Sequence, residues 1–315
     1  MWPDQPYGPP TATDVTIVPE ALSAACHGVP ERMAWLRQLP RAIRELQDRW
    51  ALSTGAPFSE ASCAWVAPAV RTDGTRVVLK LGMPHLEGQH ELEGLRFWNG
   101  EPTVRLLEAD DNLNAMLLER CEPGDMLRVL PEPEQDLVIA SLLRRLWRPP
   151  SPQFAFRPLS AMLAYWAEET IAAAPLWIDS GLVRAGLRLF DELPRRSSDD
   201  VVLATDLHAG NVLRAQREPW LAIDPKPFVG DRAYDATQHL CNCKERMRTA
   251  PGETILRFAD LLEIDDERIR MWMFARARRS HARGGTTRQS HWRQRWSEQA
   301  IISRRPQPFA DSACW

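Results

Sequence analysis

Apolar residues change their spacing several times along the chain, and each change marks an element. Leu36, Leu39, Ile43, Leu46 and Trp50 recur at steps of three and four, one face of a helix within "ERMAWLRQLPRAIRELQDRW". Pro40 in its middle predicts a kink or a division, because proline removes a backbone donor. "PEALSAACHG" just before it has helical periodicity too, while residues 1–19 are rich in proline and threonine and predict an extended lead. Steps of two then take over. "CAWVAPAV" and "RVVLKLG" flank Asp73-Gly74, a hairpin signal. Alternation puts Val77, Leu79 and Leu81 on one face and leaves Val78 and Lys80 on the other. One helix is expected from about Leu86 to Trp98, followed by a second hairpin-like pair, "TVRLLEAD" and "NAMLLERC". "EPG" at 122–124 breaks the pattern and reads as a hinge.

Beyond the hinge the pattern is mostly helical. Val138, Leu142 and Leu146, with Ile139, Leu143 and Trp147, form an apolar face from Glu132 onward, and "RPPSP" is a connector. Helical patterns cover 159–173 and 176–193, short strands lie near 201–204, 212–214 and 220–223, and helices resume near Asp231 and Glu267. Strands first, then helices with one short β insertion, make an α+β chain of two lobes with a cleft between them. The expected divisions are 1–120 for a small N-lobe with an antiparallel sheet, 121–277 for a larger helical C-lobe, and 278–315 for a tail.

Composition narrows the classes. The 315 residues are 44% hydrophobic, ample for a sizeable core. A net charge of −3 is too small to imply nucleic acid. It hides an asymmetry: residues 278–315 carry eight arginines against Glu298 and Asp311, a local +6 that leaves −9 elsewhere. The six cysteines are scattered without C-x-x-C pairs, so neither a zinc site nor a disulfide framework is expected. No apolar run reaches the roughly 18 residues that would span a bilayer, and the N-terminus lacks a secretory pattern, so a cytoplasmic protein is expected.

The chemistry concentrates in "TDLHAGNVL" (205–213) and "WLAIDPKPFVGD" (220–231). Asp206 and Asn211 stand five apart, the D-x-x-x-x-N spacing of a kinase catalytic loop, and Asp224 follows thirteen residues later. Asn211 and Asp224 offer the oxygen ligands that Mg2+ prefers, which leaves Asp206 to accept a proton from an attacking hydroxyl. Such a site needs a strand lysine for nucleotide phosphates and a helix glutamate to hold it. Lys80 supplies the first, and Glu87 and Glu91, one turn apart on one helix face, offer the second. Each part alone is commonplace, and the conjunction carries the reading.

Taken together, "VPEAL", "DGTRVVLKLGMPH", "LRFWNGEPTVRLLEAD", "MLLERCEPG", "TDLHAGNVLRAQREPWLAIDPKPFVGDRAYD" and "ERIRMWMFARA" resemble the aminoglycoside phosphotransferases, in particular the streptomycin 6-kinase branch, the aminoglycoside/hydroxyurea resistance kinases. The likeness extends over residues 15–277. It implies a protein-kinase-like fold and transfer of the ATP γ-phosphoryl group to an aminoglycoside hydroxyl, most of all the 6-hydroxyl of streptomycin. It further implies that Asp206 is the base, Asn211 and Asp224 the Mg2+ ligands, and Lys80 the contact to the α/β-phosphates, with Glu91 its partner and Glu87 the second choice. Leu117 to Cys121, with Leu118 and Glu119 among them, would face adenine; Ser62 would help cradle phosphates, and His208 would brace the loop. "GDRAYD" either shapes the loop after the metal site or starts a helix with Asp231 as its cap.

Several positions depart from the family's pattern. Ala204-Thr205 stands where His-Gly is usual, Ala209 and Arg232 replace prolines, and "SEASCAWVAP" has no glycine after Gly55. After Ala277 the likeness stops, and the arginine-rich tail, without periodicity, is expected to add little to the core; it reads either as an altered reading frame or as a lineage-specific tail. Two rivals stand beside the streptomycin reading: an impaired relative that only binds nucleotide, and a kinase for another hydroxylated metabolite. A monomer with a small-molecule substrate and no membrane or nucleic-acid partner is expected.

Overall fold

The computed structural model describes residues 16–177, 179–195 and 199–282, with side chains of the final helix as far as Ala277. The expectations for the extended lead up to residue 15 and for the basic tail beyond residue 282 lie outside the described residues.

The N-lobe opens with α1 (Glu20–Cys26) and α2 (Pro30–Arg49). Strands β1 (Leu52–Thr54), β2 (Ala64–Arg71), β3 (Arg76–Gly82), β4 (Leu106–Asp110) and β5 (Ala115–Glu119) form one antiparallel sheet in the order β1-β2-β3-β5-β4. Alternation along β3 separates its faces. Val77, Leu79 and Leu81 join Leu39, Ile43 and Leu46 of α2 in the lobe's core. Val78, on the other face, packs with Leu92, Leu95, Leu118 and Leu221. Lys80 pairs in register with Val66 and Met116, so it sits mid-strand on the face turned toward the second lobe.

Pro40 does not divide α2, which runs unbroken from residue 30 to 49. Proline forfeits one helical hydrogen bond there, but Leu39, Ala42, Ile43 and Leu46 on both sides of it bury a single stripe against the sheet. That burial is worth roughly 1.5–3 kcal/mol for each large side chain, so packing outweighs the local preference. The helix expected from Leu86 is also altered. A 3-10 turn spans Glu87–His90, and α3 (Glu91–Trp98) starts only after it.

The C-lobe contains α4 (Glu132–Leu146), α5 (Leu159–Ala172), α6 (Ser180–Arg195), α7 (Arg232–Asn242), α8 (Lys244–Thr249), α9 (Pro251–Leu262) and α10 (Asp266–Ala282). Two short antiparallel pairs lie between α6 and α7: β6 (Val201–Leu203) with β9 (Phe228–Gly230), and β7 (Val212–Arg214) with β8 (Trp220–Ala222). The lobes are stitched as well as packed. Val104 N donates to Ala222 O and Ala222 N to Pro102 O, each at 3.0 Å. Trp98, at the end of α3, is fully buried in the C-lobe core and donates its Nε1 to Leu146 O (2.9 Å).

Candidate active site

The loop between β6 and β7 belongs to no regular element, so its buried backbone groups must find other partners. Asp235 of α7 supplies them. Its carboxylate accepts from Ala204 N (3.0 Å), Thr205 N (2.7 Å) and Trp147 Nε1 (3.0 Å). Burial pushes its carboxyl up to about 6 even against these donors. Thr205 has φ 50°, a left-handed conformation that disfavours side chains. Glycine is the expected residue there, and threonine keeps that conformation because its Oγ1 also donates to Lys226 O (2.6 Å). Asp231 caps α7 through Ala233 N (3.0 Å) and accepts from Arg268 and from Trp272 Nε1, both at 2.6 Å. Both acids of "GDRAYD" are therefore held inside the framework rather than facing the cleft.

Asp206 follows at the loop's mouth. Its Oδ1 accepts from Gln238 Nε2 of α7 at 2.6 Å. Gln238 Oε1 in turn accepts from Arg276 of α10, whose guanidinium lies 5.0 Å from the Tyr234 ring centroid and 5.9 Å from that of Trp166. Burial, and next the negative charge of Asp224, push the Asp206 carboxyl up to about 6. Asn211 Nδ2 donates to Asp206 O (3.1 Å), which fixes the amide and leaves Oδ1 as its acceptor. His208 lies within this turn, its Nδ1 accepting from Gly210 N (3.0 Å).

Asp224 is brought alongside by a backbone bond from Ile223 N to Asn211 O (2.9 Å). It too has a left-handed backbone, φ 54°, the kind of local strain that persists only where surroundings fix it and that clusters at functional sites. Two ammonium groups, of Lys80 and Lys226, converge on its Oδ1. Burial alone would raise this carboxyl, but the two lysines outweigh it and hold it well below the usual carboxylate range. Lys80 also donates to Glu91 Oε1, and Lys226 Nζ lies 3.7 Å from Glu91 Oε2.

Ser62, Lys80, Glu87, Leu118, Glu119, Cys121, Asp206, His208, Asn211 and Asp224 all line one cavity of about 1060 Å³ between the lobes. Glu91 is nearly fully buried, against Lys80. Glu87 does not share that role. The 3-10 turn rotates it out of the α3 face, and its Oε1 accepts from Trp166 Nε1 of α5 (3.1 Å). Glu119 lends its carboxylate to Arg217 (2.8 Å). Burial pushes the Cys121 thiol up to about 12, so it is an uncharged wall residue. The donor set of Asn211 and Asp224 is all oxygen and hard, which fits Mg2+. Elsewhere, Asp136, His239 and Cys243 come within 4.8 Å of one another. Both oxygens of Asp136 are already taken, by His239 and Arg246 on one and by Arg246 and Arg257 on the other, so this is a buried ion-pair hub.

Lys226 and Gln238 carry no role in the sequence pattern. A lone lysine between two prolines in an apolar run was the available signal for Lys226. Gln238 offered none.

An antiparallel lobe closing over a helical lobe, with such a cleft between, defines a protein-kinase-like phosphotransferase. The same fold is found in amicoumacin kinase hAmiN in complex with AMP-PNP, Ca2+ and Ami, with a TM-score of 0.56 at 14% identity over 87% of this chain and 96% of that one. Residues 49–286 match the family described as aminoglycoside/hydroxyurea antibiotic resistance kinase. A streptomycin 6-kinase of Streptomyces griseus is 35% identical over 278 residues, 84% of this chain and 90% of the relative. A hydroxyurea phosphotransferase of Kitasatospora aureofaciens is 38% identical over 248 residues, 76% and 71% of the two chains. The chain belongs to the aminoglycoside/hydroxyurea antibiotic resistance kinase family and is a phosphotransferase enzyme.

Proposed function

We propose that the enzyme transfers the γ-phosphoryl group of ATP to a hydroxyl of streptomycin, at the 6-position. The observation that carries this is the meeting of Asp206, Asn211, Asp224 and Lys80 on one cavity wall, with Glu91 behind the lysine. Asp206 accepts the proton of the attacking hydroxyl as its oxygen bonds to the γ-phosphorus and the bond to the β-phosphate oxygen breaks. Lys80 holds the α/β-phosphates, and Glu91 holds Lys80. Leu118, Glu119 and Cys121 line the adenine end, Ser62 lies at the phosphate end, and His208 stiffens the catalytic turn. Asn211 and Asp224 would hold Mg2+, which neutralises phosphate charge when bound. Streptomycin is a polycation, and the −9 carried outside the tail favours its approach by electrostatic steering.

The likeness to a hydroxyurea phosphotransferase favours one second reading, a smaller hydroxyl-bearing acceptor at the same site. Phosphate transfer from labelled ATP to streptomycin, to other aminoglycosides and to hydroxyurea separates the two. Stimulation by streptomycin is expected. Turnover with hydroxyurea alone would replace the first reading by the second, and nucleotide binding without transfer to any acceptor would overturn both.

A further inference from the structure

Two lysines meet one carboxylate oxygen in this cleft, where the phosphate-binding role needs only one. Lys80 and Lys226 both donate to Asp224 Oδ1, and Glu91 closes the ring, bonded to Lys80 and 3.7 Å from Lys226. Two carboxylates and two ammonium groups make the ring neutral. Lys226 cannot easily drift from it. Its backbone N donates to Ala204 O (2.9 Å), its carbonyl accepts from Thr205 Oγ1 (2.6 Å), and Pro225 and Pro227 restrict the chain on either side. The side chains of Lys80 and Lys226 are 8% and 6% exposed, so water does little to screen them.

We infer that Lys226 is a positioning residue that, together with Lys80, latches Asp224 against divalent cations until a polyphosphate arrives. The inference rests on the assignment of Asp224 as a metal ligand. A dication approaching the nucleotide-free site meets a carboxylate already neutralised, with two positive charges beside it. Mg2+ gives up its hydration shell reluctantly and gains little there. Phosphate oxygens of an incoming nucleotide offer the lysines a competing set of anions, and Asp224 is then released to its ion. Metal therefore enters with nucleotide and not ahead of it.

Mn2+ serves as the probe, with uptake followed by electron paramagnetic resonance in the presence and absence of ADP. The wild-type protein should take up Mn2+ with ADP and hardly without it. Lys226→Met should bind Mn2+ alone tighter than wild type, on the order of tenfold, since one nearby unit charge has gone. Lys226→Arg, which restores the charge, should behave as wild type; a merely structural lysine would give no gain on removal and no such rescue. Lys226→Gln is the second variant should Lys226→Met fail to fold. Wild-type uptake of Mn2+ alone as tight as with ADP would overturn the latch without any variant. Asp224→Asn separates the two ideas. If it keeps ADP-dependent uptake, the ligand assignment falls and the latch with it. If it loses that uptake while Lys226→Met shows no gain, the latch alone falls.

Discussion

Asp206 is held by Gln238 on one oxygen and raised to a pKa of about 6 by burial and by Asp224. Replacing it with Asn keeps the shape and the hydrogen bond but removes the proposed base. Turnover should fall by roughly 10²–10⁴-fold with ADP affinity nearly unchanged, which steady-state kinetics and a nucleotide titration will check. A base must be unprotonated, so kcat/KM should fall as pH drops below about 6, and a profile from pH 5 to 8 tests that limb. The same shift has the opposite consequence for stability. A carboxyl raised in the folded state stabilises fully below its unfolded pKa, and that contribution is lost as pH rises through about 6. At pH 8 Asp206→Asn should therefore be more stable than wild type by at most about 3 kcal/mol, and the difference should shrink toward zero only as pH falls below the ordinary carboxyl value of 3.8. The grouping of Asp206, Asn211 and Asp224 was legible in the sequence because two short spacings relate them, five residues within the β6–β7 loop and thirteen more across the β7–β8 pair. Lys226 and Gln238 were not, because what gives them meaning is contact with Glu91 and Asp206, which only the folded chain supplies.

Among the elements, α3 is held at both ends. It carries Glu91 at its start and Trp98 at its end, and Gly94 between them faces Pro227 of the loop after Asp224. A Cβ at Gly94 would meet Pro227 Cγ and Trp98 Cζ3 at 2.9 Å each. A proline ring cannot swing aside, so Gly94→Ala should push α3 away, costing about 1–3 kcal/mol. Glu91 then loses its seat against Lys80, and the KM for ATP should rise; a melting curve with ATP kinetics reads both. Four strands of the sheet, β2 to β5, were legible from alternation, and β6, β7 and β8 around the catalytic loop from brief apolar runs; β1 and β9, of three residues each, were not. Two helical features were not. Periodicity does not distinguish the 3-10 turn at Glu87–His90 from α-helix, so Glu87 and Glu91 looked equivalent. Pro251-Gly252 looks like a break, yet Pro251 is the first residue of α9, where a missing N–H is harmless.

At the scale of the molecule, the division into two lobes follows from the change of pattern near residue 120, but the packing is less divided than that. Trp98 lies in the C-lobe core, and Val104 and Ala222 join the lobes by backbone bonds. A ligand spanning this cleft stabilises both lobes at once. ADP with Mg2+ at about a hundred times its Kd should add roughly 2.7 kcal/mol and shift one calorimetric transition upward. In Asp224→Ala the Mg2+-dependent part of that shift should disappear. A rise confined to one of two separate transitions would contradict the shared core.

Arg276 gives the last helix a meaning in time as well as in space. Every group proposed to meet nucleotide lies before residue 227, so that half of the site is complete in sequence while α10 is still unmade. The guanidinium that steadies Gln238, and through it Asp206, is among the last described residues to leave the ribosome. A chain that stops short of Arg276 also lacks part of α10's contribution to the C-lobe core, and one that stops before Trp272 loses a donor to Asp231 as well. Completion of the core and the steadying of Asp206 through Gln238 therefore fall in the same stretch of synthesis, Arg268 to Arg276.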